Sequence, residues 1–207
     1  MDTDEEQVEK LKTWLKENGL SIVFGIIIGV GGIGGYNYWN QMQETTAAEA
    51  SAHFSKMIEA LNAGDGESLR AEADILQRDY GKTDYALMAQ LALASQHVKD
   101  GNFDQAEQAL QQVVDSAEQK PLAYVSRTRL AAVQIQNGQF DQALSTLDAE
   151  FPGDFSARVE ELRGDAYALQ GKVAEAIQAY RDAQSSTPGP ANELFLRQKL
   201  DDLGARD

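Results

Sequence analysis

The chain has 207 residues, no cysteine, and 33 acidic against 18 basic side chains, a net charge of −15. This excess of carboxylates repels nucleic acid and anionic lipid heads, so neither is an expected ligand of the polar part of the chain. The missing cysteines exclude disulfides and thiol chemistry but do not fix the compartment.

Residues 1–19 form a short acidic tail in which Val8, Leu11, Trp14 and Leu15 recur at helical spacing, with Gly19 expected as the C-cap. Such a stripe fits a helix lying on the cytosolic leaflet, or a docking site for a cytosolic partner. The next twenty residues, Leu20 to Trp39, contain no ionisable side chain. At about 1.5 Å per residue they reach about 30 Å as a helix, the thickness of a bilayer core. Their nine Leu, Ile, Val and Phe side chains favour insertion by roughly 3 to 5 kcal/mol, and Tyr36, Tyr38 and Trp39 suit the membrane interface.

The same run offers two rival readings. Gly29, Gly31 and Gly34 spell G-x-G-x-x-G, with Glu49 at a suitable distance, but no later segment supplies the strands that a dinucleotide-binding unit requires. The small-residue triplets around Ala48 to Ala52 resemble signal-peptide cleavage sites, yet they stand too far beyond an apolar run that is too long. A retained membrane span is therefore expected. Lys10, Lys12 and Lys16 precede the run and only Lys56 follows within twenty residues, which predicts a cytosolic N-terminus and an exported C-terminal part. Gly25, Gly29, Gly32 and Gly35 fall on one helix face and form a candidate helix-packing stripe within the membrane.

Residues 40–207 carry a net charge of −12 (15 basic, 27 acidic) and are long enough for one well-buried domain. Thr46-Ala-Ala-Glu49 reads as a capping box opening a new helix. Segments near 46–63 and 67–80 then read as a first helical hairpin. Three segments share a glycine turn and a following alanine: Gly101 with Ala106, Gly138 with Ala143, and Gly171 with Ala176. Their glycines lie 37 and 33 residues apart, bracketing the tetratricopeptide (TPR) period of about 34. Gly164, Tyr167, Tyr180, Ala183 and Pro188 place the third unit nearest the consensus, while His97 and Gln134 stand where a tyrosine is usual. After the break at Ser185 to Pro190, a last helix presents Leu196, Leu200 and Leu203 on one face, as a capping helix would.

The predicted fold is all-α: a tail (1–19), one transmembrane helix (20–39), then a TPR-like α-solenoid of helical hairpins with a C-terminal capping helix (40–207). No HExxH, nucleophile elbow or phosphate loop is present, so the expected function is binding rather than catalysis, with no metal and no cofactor. Aligned on their glycines, the first helices place Met88, Leu91, Val98, Val125 and Ile135 at positions that usually line the concave face of a TPR stack. That face is apolar: either these residues are core, because the frame is slightly off or the C-terminal helix fills the groove, or an open groove there suits the apolar side chains of an extended or helical peptide.

A tail ending Glu17-Asn18-Gly19, a glycine-rich span from Gly29-Val-Gly31 to Tyr38-Trp39 and degenerate TPR hairpins together resemble the YfgM family, ancillary subunits of the bacterial Sec translocon. The resemblance covers essentially the whole chain. It implies a single-pass inner-membrane protein with a periplasmic TPR-like domain, working beside SecYEG with the membrane-anchored chaperone PpiD. The implied role is passing unfolded secreted chains to periplasmic chaperones, with a further link to a cytosolic stress-response regulator. An envelope scaffold that assembles other proteins without binding unfolded clients is the alternative expectation.

Overall fold

The computed structural model describes residues 4–117, 121–186 and 190–205. Pro188 and the side chain of Leu11, both used above, lie outside the described residues. In chain order the helices are α1 (Asp4–Ala63), α2 (Gly66–Asp79), α3 (Asp84–Lys99), α4 (Phe103–Ala117), α5 (Pro121–Gln136), α6 (Phe140–Leu147), α7 (Ser156–Leu169), α8 (Val173–Ser186) and α9 (Pro190–Asp202), with a 3₁₀ turn at Gly153–Phe155 before α7. No strand occurs among the described residues. The chain divides into two compact units, residues 1–49 and 50–207.

The first unit is made by α1. Gly19 does not cap a tail helix, because α1 runs through it without a break. An interior glycine costs a helix only about 1 kcal/mol and does not stop it unaided. The helix bends instead: Gln7–Leu20 and Val23–Ala63 are inclined by 51°. No single straight helix among the described residues is long and apolar enough to cross a membrane; the bent pair meets the test by length and composition together. The bend divides the apolar run, and the part from Val23 onward is diluted by six glycines, Asn37 and Asn40. Thr45 and Thr46 likewise start no new helix: their hydroxyls donate to the carbonyls of Gln41 and Met42, at 2.9 and 2.8 Å, inside α1. A capping residue would instead accept from backbone N–H groups ahead of it.

The second unit stacks helical hairpins. Gly64, Gly101, Gly138, Gly171 and Gly204 all have φ between +72° and +78°, a left-handed conformation that glycine adopts without a Cβ penalty. Each closes the same C-terminal motif. Between α3 and α4 the N–H of Gly101 bonds the carbonyl of Val98 and that of Asn102 the carbonyl of His97; Gly138 with Ile135 and Gln139 with Gln134 repeat this, as do Gly171 with Ala168 and Lys172 with Tyr167. His97, Gln134 and Tyr167 are therefore structurally equivalent. The next helix begins at once, and Ala106, Ala143 and Ala176 are fully buried, so the second helix of each pair lies close to the first.

Packing follows chain order. Met57 and Ala60 of α1 meet Leu69, Ala73 and Leu76 of α2 and Ala89 of α3. Leu110 of α4 packs with Leu130 and Val133 of α5, and Leu147 of α6 with Val159 and Leu162 of α7. Leu196 and Leu200 of α9 bury against Ala176, Tyr180 and Ala183 of α8. Neighbouring repeats are also joined by one recurring hydrogen bond: the amide of Asn137 donates to Asp104 (3.0 Å), and that of Gln170 donates to Asp141 (2.7 Å).

Two glycines make opposite demands. At Gly138 an added Cβ would meet nothing within 4 Å, so only its positive φ is at stake. At Gly164, inside α7, a Cβ would run into the Tyr180 ring. Gly138→Ala is expected to cost about 1 to 2 kcal/mol of backbone strain. Gly164→Ala gains about 1 kcal/mol of helix propensity, but it loses about 1 to 3 kcal/mol to overpacking and also strains the bond from Tyr180 Oη to Asp165. Urea unfolding followed by circular dichroism should show both variants destabilised. A stabilised Gly164→Ala would mean that the Tyr180 ring moves aside freely.

Candidate peptide-binding face

The first helices of the three TPR-like pairs, α3, α5 and α7, are nearly uniform in polarity around their circumference because they pack on two sides. Residues that remain open on them are consequently few. Met88 is 39% exposed. Leu91 and Val98 are half-buried at the edge of the cluster built on Ala94, Leu110, Leu130 and Val133. Val125 is half-buried as well. Ile135, only 8% exposed, belongs to the core formed with Ala131, Ala143 and Leu147. As the penultimate residue of α5, it is drawn inward by the turn at Gly138, whose N–H bonds its carbonyl.

Among the described residues, cavities open on first-helix surfaces at two places. One, of about 280 Å³, sits between α3 and α5; Leu91, Ala94 and Val98 line it from α3, Leu110 from α4, and Ala132 and Val133 from α5. Ser95, Arg129 and Gln136, all exposed, stand at its rim. The structure thus brings Leu91 and Val98 together and leaves Met88 and Val125 outside this cavity. Arg129, Ala132 and Gln136 were missed by the sequence reading. Their signal was available: 129, 132 and 136 recur at helical spacing on α5 as 91, 95 and 98 do on α3.

The other cavity, of about 340 Å³, is lined by Ile135 of α5, Asp165 and Leu169 of α7, Tyr180 of α8, Lys199 and Asp202 of α9, and Leu203 just after it. Its polar groups are spent on holding α9. Lys199 Nζ donates to Glu161 Oε1 (2.9 Å) and Asp165 Oδ1 (2.6 Å), and Tyr180 Oη donates to the same Asp165 oxygen (2.7 Å). The ammonium also lies over the rings of Phe195 and Tyr180, 4.6 and 5.4 Å from their centres. Burial pushes Tyr180 far above the usual phenol range, and the neighbouring carboxylates of Asp165 and Glu161 push it further, so it stays a protonated donor. Burial alone would raise Glu161, but hydrogen bonding to Lys199 and the charge of Arg158 outweigh it and hold the carboxyl below its usual range. This is a clamp for α9. The capping helix contributes no residue to the α3–α5 cavity.

Neither histidine joins a reactive cluster. His53 Nδ1 lies 2.7 Å from Glu72 of α2, and among the described residues no group of three or more His, Asp or Glu could hold a metal ion. In unit 1, an added Cβ at Gly25, Gly29, Gly32 or Gly35 would meet nothing within 4 Å. Every large apolar side chain described from Leu20 to Trp39 is more than half exposed.

The tetratricopeptide repeat-like domain family matches residues 12–205. An ancillary SecYEG translocon subunit of Haemophilus influenzae is 34% identical over 200 residues, 97% of each chain. One of Escherichia coli is 32% identical over 202 residues, 98% of this chain and 97% of that one. The chain belongs to this family. The shared length includes both the bent helix and the repeats, so the kinship does not rest on TPR-like hairpins alone. A solved structure of MamA from Desulfovibrio magneticus RS-1 superposes with a TM-score of 0.57 at 21% identity, over 75% of this chain and 86% of that one. That likeness concerns the solenoid fold.

One titrating group within the repeats gives a testable pH dependence. His97 Nδ1 is buried without a hydrogen-bond partner, and burial, with the nearby Arg70 charge, lowers its pKa below the ordinary 6.5 despite Asp100. The native state thus resists a proton that the unfolded chain accepts. Stability should fall as pH drops below about 6.5 and level off below the native pKa. Melting curves of wild type and His97→Gln, which copies the equivalent Gln134, should diverge across that window, the wild type losing more. Parallel declines would assign the acid sensitivity to other groups.

Proposed function

We propose that this chain is a non-enzymatic, membrane-anchored subunit of the Sec translocon whose first-helix face receives apolar segments of unfolded secreted chains and passes them to periplasmic chaperones. The observation that carries this reading is the full-length identity to two proteins named ancillary SecYEG translocon subunits. Anchoring is supported by the exposed apolar side chains from Leu20 to Trp39, which water does not stabilise and a bilayer does. The lysines at 10, 12 and 16 favour a cytosolic N-terminus. The bare face at Gly25, Gly29, Gly32 and Gly35 suits close approach of a neighbouring transmembrane helix, by this reading one of SecYEG or of PpiD. The tail remains available to a cytosolic stress-response regulator. Domain limits at 1–19, 20–39 and 40–207 belong to the same proposal.

Affinity purification of the full chain in mild detergent tests the partnership, and translocon subunits should be recovered with it. Gly29→Leu with Gly32→Leu should leave insertion intact and reduce that recovery severalfold. Unchanged recovery would move recognition to the repeats. A phosphatase fused after residue 207 should be active; an inactive fusion beside an active cytosolic reporter would reverse the orientation and remove the proposed role.

Client binding has its own test. Leu91 and Val125 are only half-buried, so Leu91→Asp with Val125→Asp should weaken cross-linking to a secreted chain several-fold while helicity survives. Collapse of the fold in this variant would show that the two side chains serve the core.

A further inference from the structure

The two cavities differ in charge. Asp165 and Lys199 compensate one another at the α9 cavity, which Asp202 also lines, whereas among the described residues the α3–α5 cavity has no acidic residue in its lining and a single cation, Arg129. This is unexpected in a chain with 33 carboxylates for 18 basic side chains. Four other arginines find acids close by, Arg78 with Asp79, Arg158 with Glu161, Arg163 with Asp148 and Glu160, and Arg197 with Glu193, but neither Arg70 nor Arg127 lines either cavity as Arg129 does. Arg129 has no hydrogen bond or ion pair among the described residues.

Size narrows the occupant. Small-molecule sites usually start at about 300 Å³, and a cavity of about 280 Å³ is small for one. With Leu91, Val98, Leu110 and Val133 as its walls, it has room for a large aliphatic or aromatic side chain of a peptide. A peptide bound there carries its backbone past Ser95 and Gln136, whose side chains can hydrogen-bond it, and brings its neighbouring residues within reach of Arg129. A guanidinium favours a carboxylate, which it can bind through two parallel N–H groups.

We infer that the α3–α5 cavity is a peptide subsite for a large apolar side chain adjacent to an Asp or Glu, with Arg129 as the residue that selects the acid. The inference rests on the proposed client-binding role and names the class of segment that the face prefers. The competing explanation is that the Arg129 stem merely covers apolar surface while its charge stays in water; in that case the acid is irrelevant.

The test uses the full chain in detergent micelles and end-blocked, fluorescently labelled twelve-residue peptides with one central Leu, flanked by Glu, Gln or Lys. Fluorescence anisotropy should give the order Glu, Gln, Lys, with Glu about fivefold tighter than Gln, as one partly exposed ion pair allows. Arg129→Gln should erase the Glu preference and leave the Gln peptide unchanged. Ala132→Leu, which fills the cavity, should weaken all three peptides. Ser95→Phe at the exposed rim makes the same test without touching the interior, should Ala132→Leu prove unstable. An unchanged Glu-to-Gln ratio in Arg129→Gln, with binding still blocked by Ser95→Phe, overturns the role of Arg129 alone. Absence of binding by every peptide overturns the client-binding reading with it. Preference for a peptide whose only carboxylate is its free C-terminus overturns the internal-acid assignment.

Discussion

The solenoid depends on a backbone conformation that only one residue type adopts cheaply. At Gly64, Gly101, Gly138 and Gly171 the chain turns left-handed for a single residue, two carbonyls of the finished helix receive N–H donors from the turn, and the next helix starts with almost no linker. The reversal angle, the close approach at Ala106, Ala143 and Ala176 and the stacking of the hairpins all follow from it. A longer loop would free the second helix to slide. The alanine layer then fixes how near the pair can come, and Gly164 extends the same device to a place where an aromatic ring replaces the methyl group.

Against that regularity, the two ends of the chain are particular. The repeats at Gly101, Gly138 and Gly171 and the Leu196, Leu200 and Leu203 face of α9 were legible because turn chemistry and hydrophobic spacing are local properties. The course of α1 was not. Gly19 and the Thr46 box both look like helix boundaries, yet nothing in their surroundings ends the helix: neither a proline nor a competing partner is present, and the threonine hydroxyls bond backward within the turn. Local signals of termination are permissive, and a helix that meets no obstacle continues through them.

The candidate face was half legible. Register arithmetic put Leu91 and Val98 on one surface, and the structure joins them at one cavity. It could not separate Ile135 from them, because inward and groove-facing positions differ by a single residue near a helix end. Nor could spacing single out Arg129, which differs from the other arginines in lining that cavity, where no described lining residue is acidic. Clamping of α9 by Lys199 was equally hidden, since Glu161 and Asp165 stand 38 and 34 residues away in sequence.

Nearest-neighbour packing also has a kinetic meaning. Each helix buries its surface against the one made just before it, from Leu69 on Met57 through Leu130 on Leu110 to Leu196 on Tyr180. Loop closures are short and the entropy lost at each step is small. A polypeptide delivered N-terminus first can settle pair by pair as it arrives, each completed pair acting as the template for the next. Only the last pair stays unfinished until α9 emerges, so the interval during which apolar surface lies bare is set by the time needed to deliver the final few residues.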